Sequence, residues 1–173
     1  MKIFSVFLLL FALSACLEMK QKEYHADFEK METSLNTMQK IGETVDSSKA
    51  REVLIAHQDL IDSLKAKYTS DTISVTMAQH IENIKYTIYC LQHFFQNYAA
   101  FGDLNMKKTE VEKLKKMISN GDGNRENYDE LMQKEKDSIS NLKNNFEELL
   151  HYYTEGTRDF SASEQFLKSE LNA

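Results

Sequence analysis

Three histidines lie in helical segments where their imidazoles could meet and hold a metal ion. His57 falls within an apolar stripe, while His80 and His93 belong to the segment that follows. Imidazole is the commonest metal-binding side chain, and antiparallel helices would bring His57 against one of the others. A metal or small-ligand site using His57 with His80 or His93 is therefore one hypothesis. The other is that His57 lies near the bundle surface or is hydrogen-bonded within the core, because no acidic side chain except Glu135 is at an inward position where it could complete a metal site. We expect no cofactor.

Two further pairs have spacings that catalytic centres use. Glu148 and His151 form an E-x-x-H pair, but a di-iron bundle needs two such pairs and two more glutamates. Cys90 and His93 lie one helical turn apart, but a thiol nucleophile also needs an orienting group and an oxyanion site. Phosphate-binding glycine loops and nucleophile-elbow motifs are absent from the sequence. These observations predict a protein that is not an enzyme.

Aromatic residues are concentrated in the same part of the chain as Cys90. Most of them are expected to fill the core of a helical protein. Tyr86, Tyr89 and Phe94 lie off the main apolar stripe, however, and could form an exposed patch that docks a partner.

The elements that must position these residues are helices. Apolar residues recur at alternating steps of four and three in five segments, and proline is absent from all 173 residues. Short connections favour antiparallel neighbours. The sequence therefore predicts an all-α fold, an elongated antiparallel bundle of four to five helices over residues 24–155. Residues 156–173 are expected to form a C-terminal tail with a short helix.

Glycines mark the expected helix boundaries. Gly102 suits a left-handed cap at the end of the third helix, and the fourth helix could begin near Asp103 or near Thr109. The run Asn120-Gly121-Asp122-Gly123-Asn124 predicts a turn before the fifth helix.

The amino-terminal residues follow the pattern of an export signal. Lys2 precedes an apolar run over residues 3–13, and Leu13-Ser14-Ala15-Cys16 places small residues directly before a cysteine. This pattern resembles the lipobox of bacterial lipoproteins. The resemblance implies removal of residues 1–15 by cleavage between Ala15 and Cys16, with diacylglycerol on the Cys16 thiol and a fatty acid such as palmitate on its amino group. Residues 16–23 would then be the lipidated cysteine and a short tether.

The net charge and the length of the apolar run indicate how such a protein is attached to a membrane and which partners it has. The apolar run is shorter than the roughly 20 residues that span a bilayer, so the lipid on Cys16 would be the membrane anchor. Without residues 1–15 the chain has 20 basic and 27 acidic residues and no basic stripe, which argues against nucleic-acid partners. Cys90 would remain unpaired and act as a small apolar side chain.

The mature part resembles the small all-helical lipoproteins of Gram-negative envelopes, such as those of Bacteroidota. Because Leu17 rather than aspartate follows the cysteine, the sorting rule of enteric bacteria favours the outer membrane over the inner membrane. The sequence therefore predicts a membrane-tethered, non-enzymatic helical lipoprotein of the envelope that acts as a protein-interaction or structural module, with an unknown envelope protein as its partner. The alternative is the ligand-binding or metal-binding bundle described above.

Overall fold

The computed structural model describes residues 2–69 and 73–173, with side chains described for 19–69, 73–99 and 101–173. Throughout these residues the secondary structure is helical, without a strand. The helices are α1 (Lys2–Gly42), α2 (Ser47–Lys67), α3 (Val75–Asn97), α4 (Ala100–Asn120), α5 (Tyr128–Gly156) and α6 (Ser161–Asn172). The predicted all-α fold class is confirmed.

The helices are divided between two compact units. The first unit combines the chain up to Lys40 with Gly102–Lys143, and the second combines Ile41–Phe101 with Asn144–Ala173. The apolar pattern predicts one bundle over residues 24–155 and gives no sign of this division, because the boundaries fall within α1, at the start of α4 and within α5.

The first unit contains α1, α4 and the first half of α5. Lys108 Nζ donates to Asn36 Oδ1 at 2.7 Å, and Lys115 Nζ pairs with Glu32 Oε1 at 2.6 Å, so α1 and α4 are antiparallel. The α5 helix runs parallel to α1, since Lys20 and Tyr24 contact the start of α5 and Asp27 pairs further along it. The buried apolar residues are Phe28, Met31, Leu35, Met38, Leu104, Val111, Ile118, Tyr128, Met132, Ile139 and Leu142.

The second unit contains α2, α3, the second half of α5, and α6. Ala50 near the start of α2 packs with Phe94 near the end of α3. Leu64 near the end of α2 packs with Met77 near the start of α3. These contacts make α2 and α3 antiparallel, as their short connection predicts. Asp46 caps α2 by accepting from Lys49 N, and Ser74 caps α3 by accepting from Met77 N.

Helix α6 is part of the packed core and not a tail beside it. Leu167 is fully buried in a cluster with residues of α2 and α3. At the other end of the helix, Lys67 Nζ donates to the carbonyl oxygens of Glu170 and Leu171 at 2.9 and 3.1 Å. Tyr68 OH also donates to the Glu170 carbonyl, at 3.1 Å. These bonds satisfy carbonyls that the end of a helix leaves without partners.

One prediction made from the glycines is confirmed and another is wrong. Gly121 and Gly123 have φ of +72° and +82°, which confirms the predicted turn before α5. The cap predicted at Gly102 is wrong, because α4 begins at Ala100 and includes Gly102 in its first turn. The α4 start therefore precedes both expected positions, Asp103 and Thr109. The chain turns at Tyr98 and Ala99 without a residue at positive φ.

Candidate functional site

The expected tether between the lipidated cysteine and the bundle is helical. Helix α1 continues without a break through residues 17–23. Its side chains engage α5 from Lys20 onward: Lys20 pairs with Asp129, and Tyr24 OH donates to the other oxygen of that carboxylate at 2.6 Å. Burial, followed by the Asp129 hydrogen bond, raises the pKa of Tyr24 to about 12. The side chains of Ala15 and Cys16 lie outside the described residues, so lipidation and cleavage stay predictions.

Two of the three residues of the predicted aromatic patch are exposed. Tyr86 is 43 % exposed and Tyr89 is 49 % exposed. The exposure predicted for Phe94 is wrong, because this side chain is fully buried. Phe94 lies four and three residues after Cys90 and Leu91, which are themselves buried, and therefore shares their face of α3.

Of the two exposed tyrosines, Tyr89 belongs to a stack of rings that joins α3 to α5. The rings of Tyr89 and His93 are 4.3 Å apart, and His93 stacks on Tyr152 of α5 at 5.0 Å with an interplanar angle of 19°. Tyr89 also meets Tyr152 edge to face at 6.3 Å. We call Tyr86, Tyr89 and Tyr152 the tyrosine surface. Ring contacts of this kind hold Tyr89 and Tyr152 in place before a partner arrives.

The pKa values of two tyrosines in the tyrosine surface are raised. A hydrogen bond to Tyr89 raises the pKa of Tyr152, and a hydrogen bond to Cys90 raises the pKa of Tyr86. Burial raises the pKa of the Cys90 thiol. Because the thiolate is the reactive form of cysteine, a buried Cys90 held protonated is a poor nucleophile and serves as packing.

His57 and His80 contact α6. His57 is 5 % exposed, and its Nε2 lies 3.4 Å from Glu164 Oε1, while its Nδ1 has no hydrogen-bond partner among the described residues. Burial lowers the pKa of His57, and Glu164 offsets part of that effect. His80 Nδ1 lies 3.0 Å from Ser163 Oγ, and its ring stacks on Phe166 at 4.3 Å.

The contacts of His57 and His80 with α6 do not form a cluster of metal ligands at the predicted site. His93 belongs to the tyrosine stack and not to the surroundings of His57. Within the described part of the chain, no three His, Cys, Asp or Glu side chains lie close enough to share a metal ion. Sequence reasoning missed the partners Ser163 and Glu164 because it placed α6 outside the bundle.

Glu135, the acidic residue in a core position of α5, is compensated by a cation. Its Oε1 lies 3.5 Å from Lys107 Nζ, and Lys107 also pairs with Glu110. Burial acts to lower the pKa of Lys107, but the hydrogen bond to Glu110 and the charge of Glu135 outweigh it and raise that pKa. The arrangement is an ion-pair network inside the first unit.

Across the described residues, no helix has both the length and the apolar character that a membrane span needs. No protein family, curated protein or solved structure matches this chain.

Proposed function

We propose that this protein is a lipid-anchored, non-enzymatic helical module of the bacterial cell envelope that binds an envelope protein through the tyrosine surface. The observation that carries the proposal is the exposure of Tyr86 and Tyr89 beside the stacked rings of His93 and Tyr152. Tyrosine is enriched at interfaces because it contributes a large contact area and loses little rotamer freedom on binding. Rings that are already held by their neighbours lose even less rotamer freedom on binding.

The membrane anchor in this proposal rests on the sequence around Cys16. A basic residue, an apolar run and small residues before the cysteine coincide at the distance from Met1 that a lipoprotein signal requires. Acyl chains bind the bilayer by about 0.8 kcal/mol for each buried methylene, so several chains on one cysteine give stable attachment without a spanning helix.

Labelling with radioactive palmitate in a bacterial host tests the anchor. The wild-type chain should incorporate the label, and Cys16→Ala should lose it together with signal cleavage. Cys90→Ala is the matched control, because it removes the other cysteine and should leave labelling unchanged. Equal labelling of the wild type and Cys16→Ala would exclude Cys16 as the anchor.

Site-specific photo-crosslinking in intact cells tests the docking surface. A photoreactive phenylalanine analogue placed at Tyr89 should give a discrete adduct with one protein that mass spectrometry can identify. The matched control is the same analogue at Ile55, which is 51 % exposed on α2 of the second unit. Identical adducts from both positions, or no adduct from Tyr89, would contradict docking at the tyrosine surface.

A metal-binding or ligand-binding function has no comparable observation in its favour. His57 and His80 contact Glu164 and Ser163 of α6, and these contacts stabilise the fold.

A further inference from the structure

The charges of the protein are unevenly distributed between the two units. Residues 41–101 and 144–173 contain thirteen acidic and seven basic residues, so the second unit has a formal net charge of −6. The first unit contains fourteen of each and is formally neutral, or has a net charge of −1 without Lys2 of the predicted signal peptide. The tyrosine surface therefore belongs to the unit whose electrostatic field attracts cations.

The sequence immediately around the tyrosine surface strengthens this asymmetry. From Tyr86 to Asn97, α3 contains no lysine or arginine, and α5 contains none from Asn144 to Gly156. The same stretch of α5 has three glutamates. Two of them act on the tyrosines: Glu148 lies one helical turn before Tyr152 on α5, and its charge acts on Tyr152, while the charge of Glu155 acts on Tyr86. Carboxylates thus lie beside the exposed rings.

A shallow groove continues the surface beyond Tyr152. It has a volume of about 300 Å³ and is lined by Gln96, Asn97 and Asn145 together with Glu148. Carboxamides both donate and accept hydrogen bonds, so they suit the backbone of an extended peptide. Glu148 lines the groove and lies one helical turn from Tyr152 on α5, so it can pair with a cation placed between the groove and the tyrosine surface.

We propose that the tyrosine surface recognises a basic segment of its protein partner, with an arginine or lysine over the Tyr89 ring and against the Glu148 carboxylate. A cation is attracted to the face of an aromatic ring, and a guanidinium also forms paired hydrogen bonds with a carboxylate. The excess of acidic residues in the second unit speeds the approach of such a segment. This inference rests on the proposed docking at the tyrosine surface and adds the chemistry of the partner.

A labelled peptide of alternating arginine and glycine tests the inference by fluorescence anisotropy against the full protein, purified from membranes in detergent. A peptide with glutamine in place of arginine is the neutral comparison. We expect the arginine peptide to bind more tightly than the glutamine peptide and to weaken as salt is raised.

Two pairs of variants separate a specific site from general attraction to an acidic protein. Tyr89→Phe keeps an aromatic face and should bind as the wild type does, whereas Tyr89→Leu should weaken binding about 2- to 5-fold. Glu148→Gln should also weaken binding. Its matched control is Glu130→Gln, which removes an exposed charge from the first-unit part of the same helix and should have no effect. Circular dichroism checks that each variant is folded.

Equal binding of the two peptides, equal binding by Tyr89→Leu and the wild type, or equal loss in Glu148→Gln and Glu130→Gln would each overturn the inference. These outcomes are distinguishable from failure of the docking proposal. An adduct at Tyr89 in cells, without a preference for the arginine peptide, would retain docking and reject the basic segment. If the protein preferred the arginine peptide but gave no adduct at Tyr89 in cells, its recognition of cations would not be part of the proposed docking function.

Discussion

Gly156 is the residue at which the backbone of α5 approaches α3. A Cβ atom placed on Gly156 would lie 2.6 Å from both Cγ and Cδ2 of Leu91, and 3.2 Å from the Leu91 backbone nitrogen. Leu91 is fully buried, so its side chain cannot move aside freely. Gly102 differs, since among the described residues no atom outside the backbone of its own helix and its two chain neighbours lies within 4 Å of the corresponding Cβ position in α4.

These two glycines give a matched prediction. Gly156→Ala should lower the free energy of unfolding by about 1–3 kcal/mol, because the added methyl overpacks the contact with Leu91. Gly102→Ala should instead raise it by about 0.5–1 kcal/mol, because alanine restricts the unfolded chain at a helical position with free space. Urea unfolding followed by circular dichroism measures both changes. Similar effects of the two substitutions would contradict the close approach at Gly156.

His57 makes the stability of the protein depend on pH near neutrality. Burial lowers its pKa from the ordinary 6.5, so the unfolded chain takes up a proton at a pH where the folded chain does not. The stabilising contribution is therefore complete above the unfolded value and declines as the pH falls from there through the folded pKa.

We expect wild-type stability to decrease between about pH 7.5 and pH 5.5, and His57→Gln to reduce that decrease because glutamine does not titrate. Urea unfolding at several pH values measures the slope. His25→Gln is the control, because the His25 side chain is 65 % exposed. A slope unchanged in His57→Gln, or reduced equally in His25→Gln, would exclude His57 as the source.

At the scale of elements, α6 completes the packing of the second unit. Its buried side, represented by Leu167, enters the cluster formed by α2 and α3. Its polar contacts are local and specific: Ser163 accepts from Asn83 Nδ2 at 3.1 Å and lies beside His80, and Glu164 lies beside His57. Two histidines that suggested a metal site are thereby used to position a helix.

Leu167→Ala should reduce the free energy of unfolding by about 2–5 kcal/mol, since it leaves a cavity in a fully buried position. Leu131→Ala provides the comparison, because Leu131 is 37 % exposed on α5, and it should change stability by less than about 1 kcal/mol. Urea unfolding measures both. If the two substitutions were equally mild, α6 would not be integral to the core.

At the scale of the whole molecule, the uneven charge bears on how the protein stays at a membrane. The first unit is formally neutral and the second is acidic, so neither carries an excess of basic residues that would hold it on an anionic lipid surface. In the proposed function the acyl chains on Cys16 are therefore the attachment.

Cell fractionation of a variant in which a cleavable signal peptide without a lipobox replaces residues 1–16 should find the protein in the soluble fraction, even at low salt. Cys16→Ala does not serve here, because its uncleaved apolar signal would itself hold the chain on the membrane. Cys90→Ala should stay in the membrane fraction. Retention of the signal-replaced variant on membranes would indicate a second attachment, and its release by high salt would identify that attachment as electrostatic.

The sequence by itself determined the helical fold, the turn at Gly121 and Gly123, and the burial of His57, because helical periodicity and turn chemistry are local properties. Tertiary structure decided what local patterns do not contain. It placed Phe94 in the core, since the rotation of α3 depends on which side α2 and α5 cover. It gave His57 and His80 their partners on α6, a short helix whose own pattern does not reveal where it packs. It also divided the helices between two units, because long helices carry the same apolar stripe whether their halves meet one set of neighbours or two.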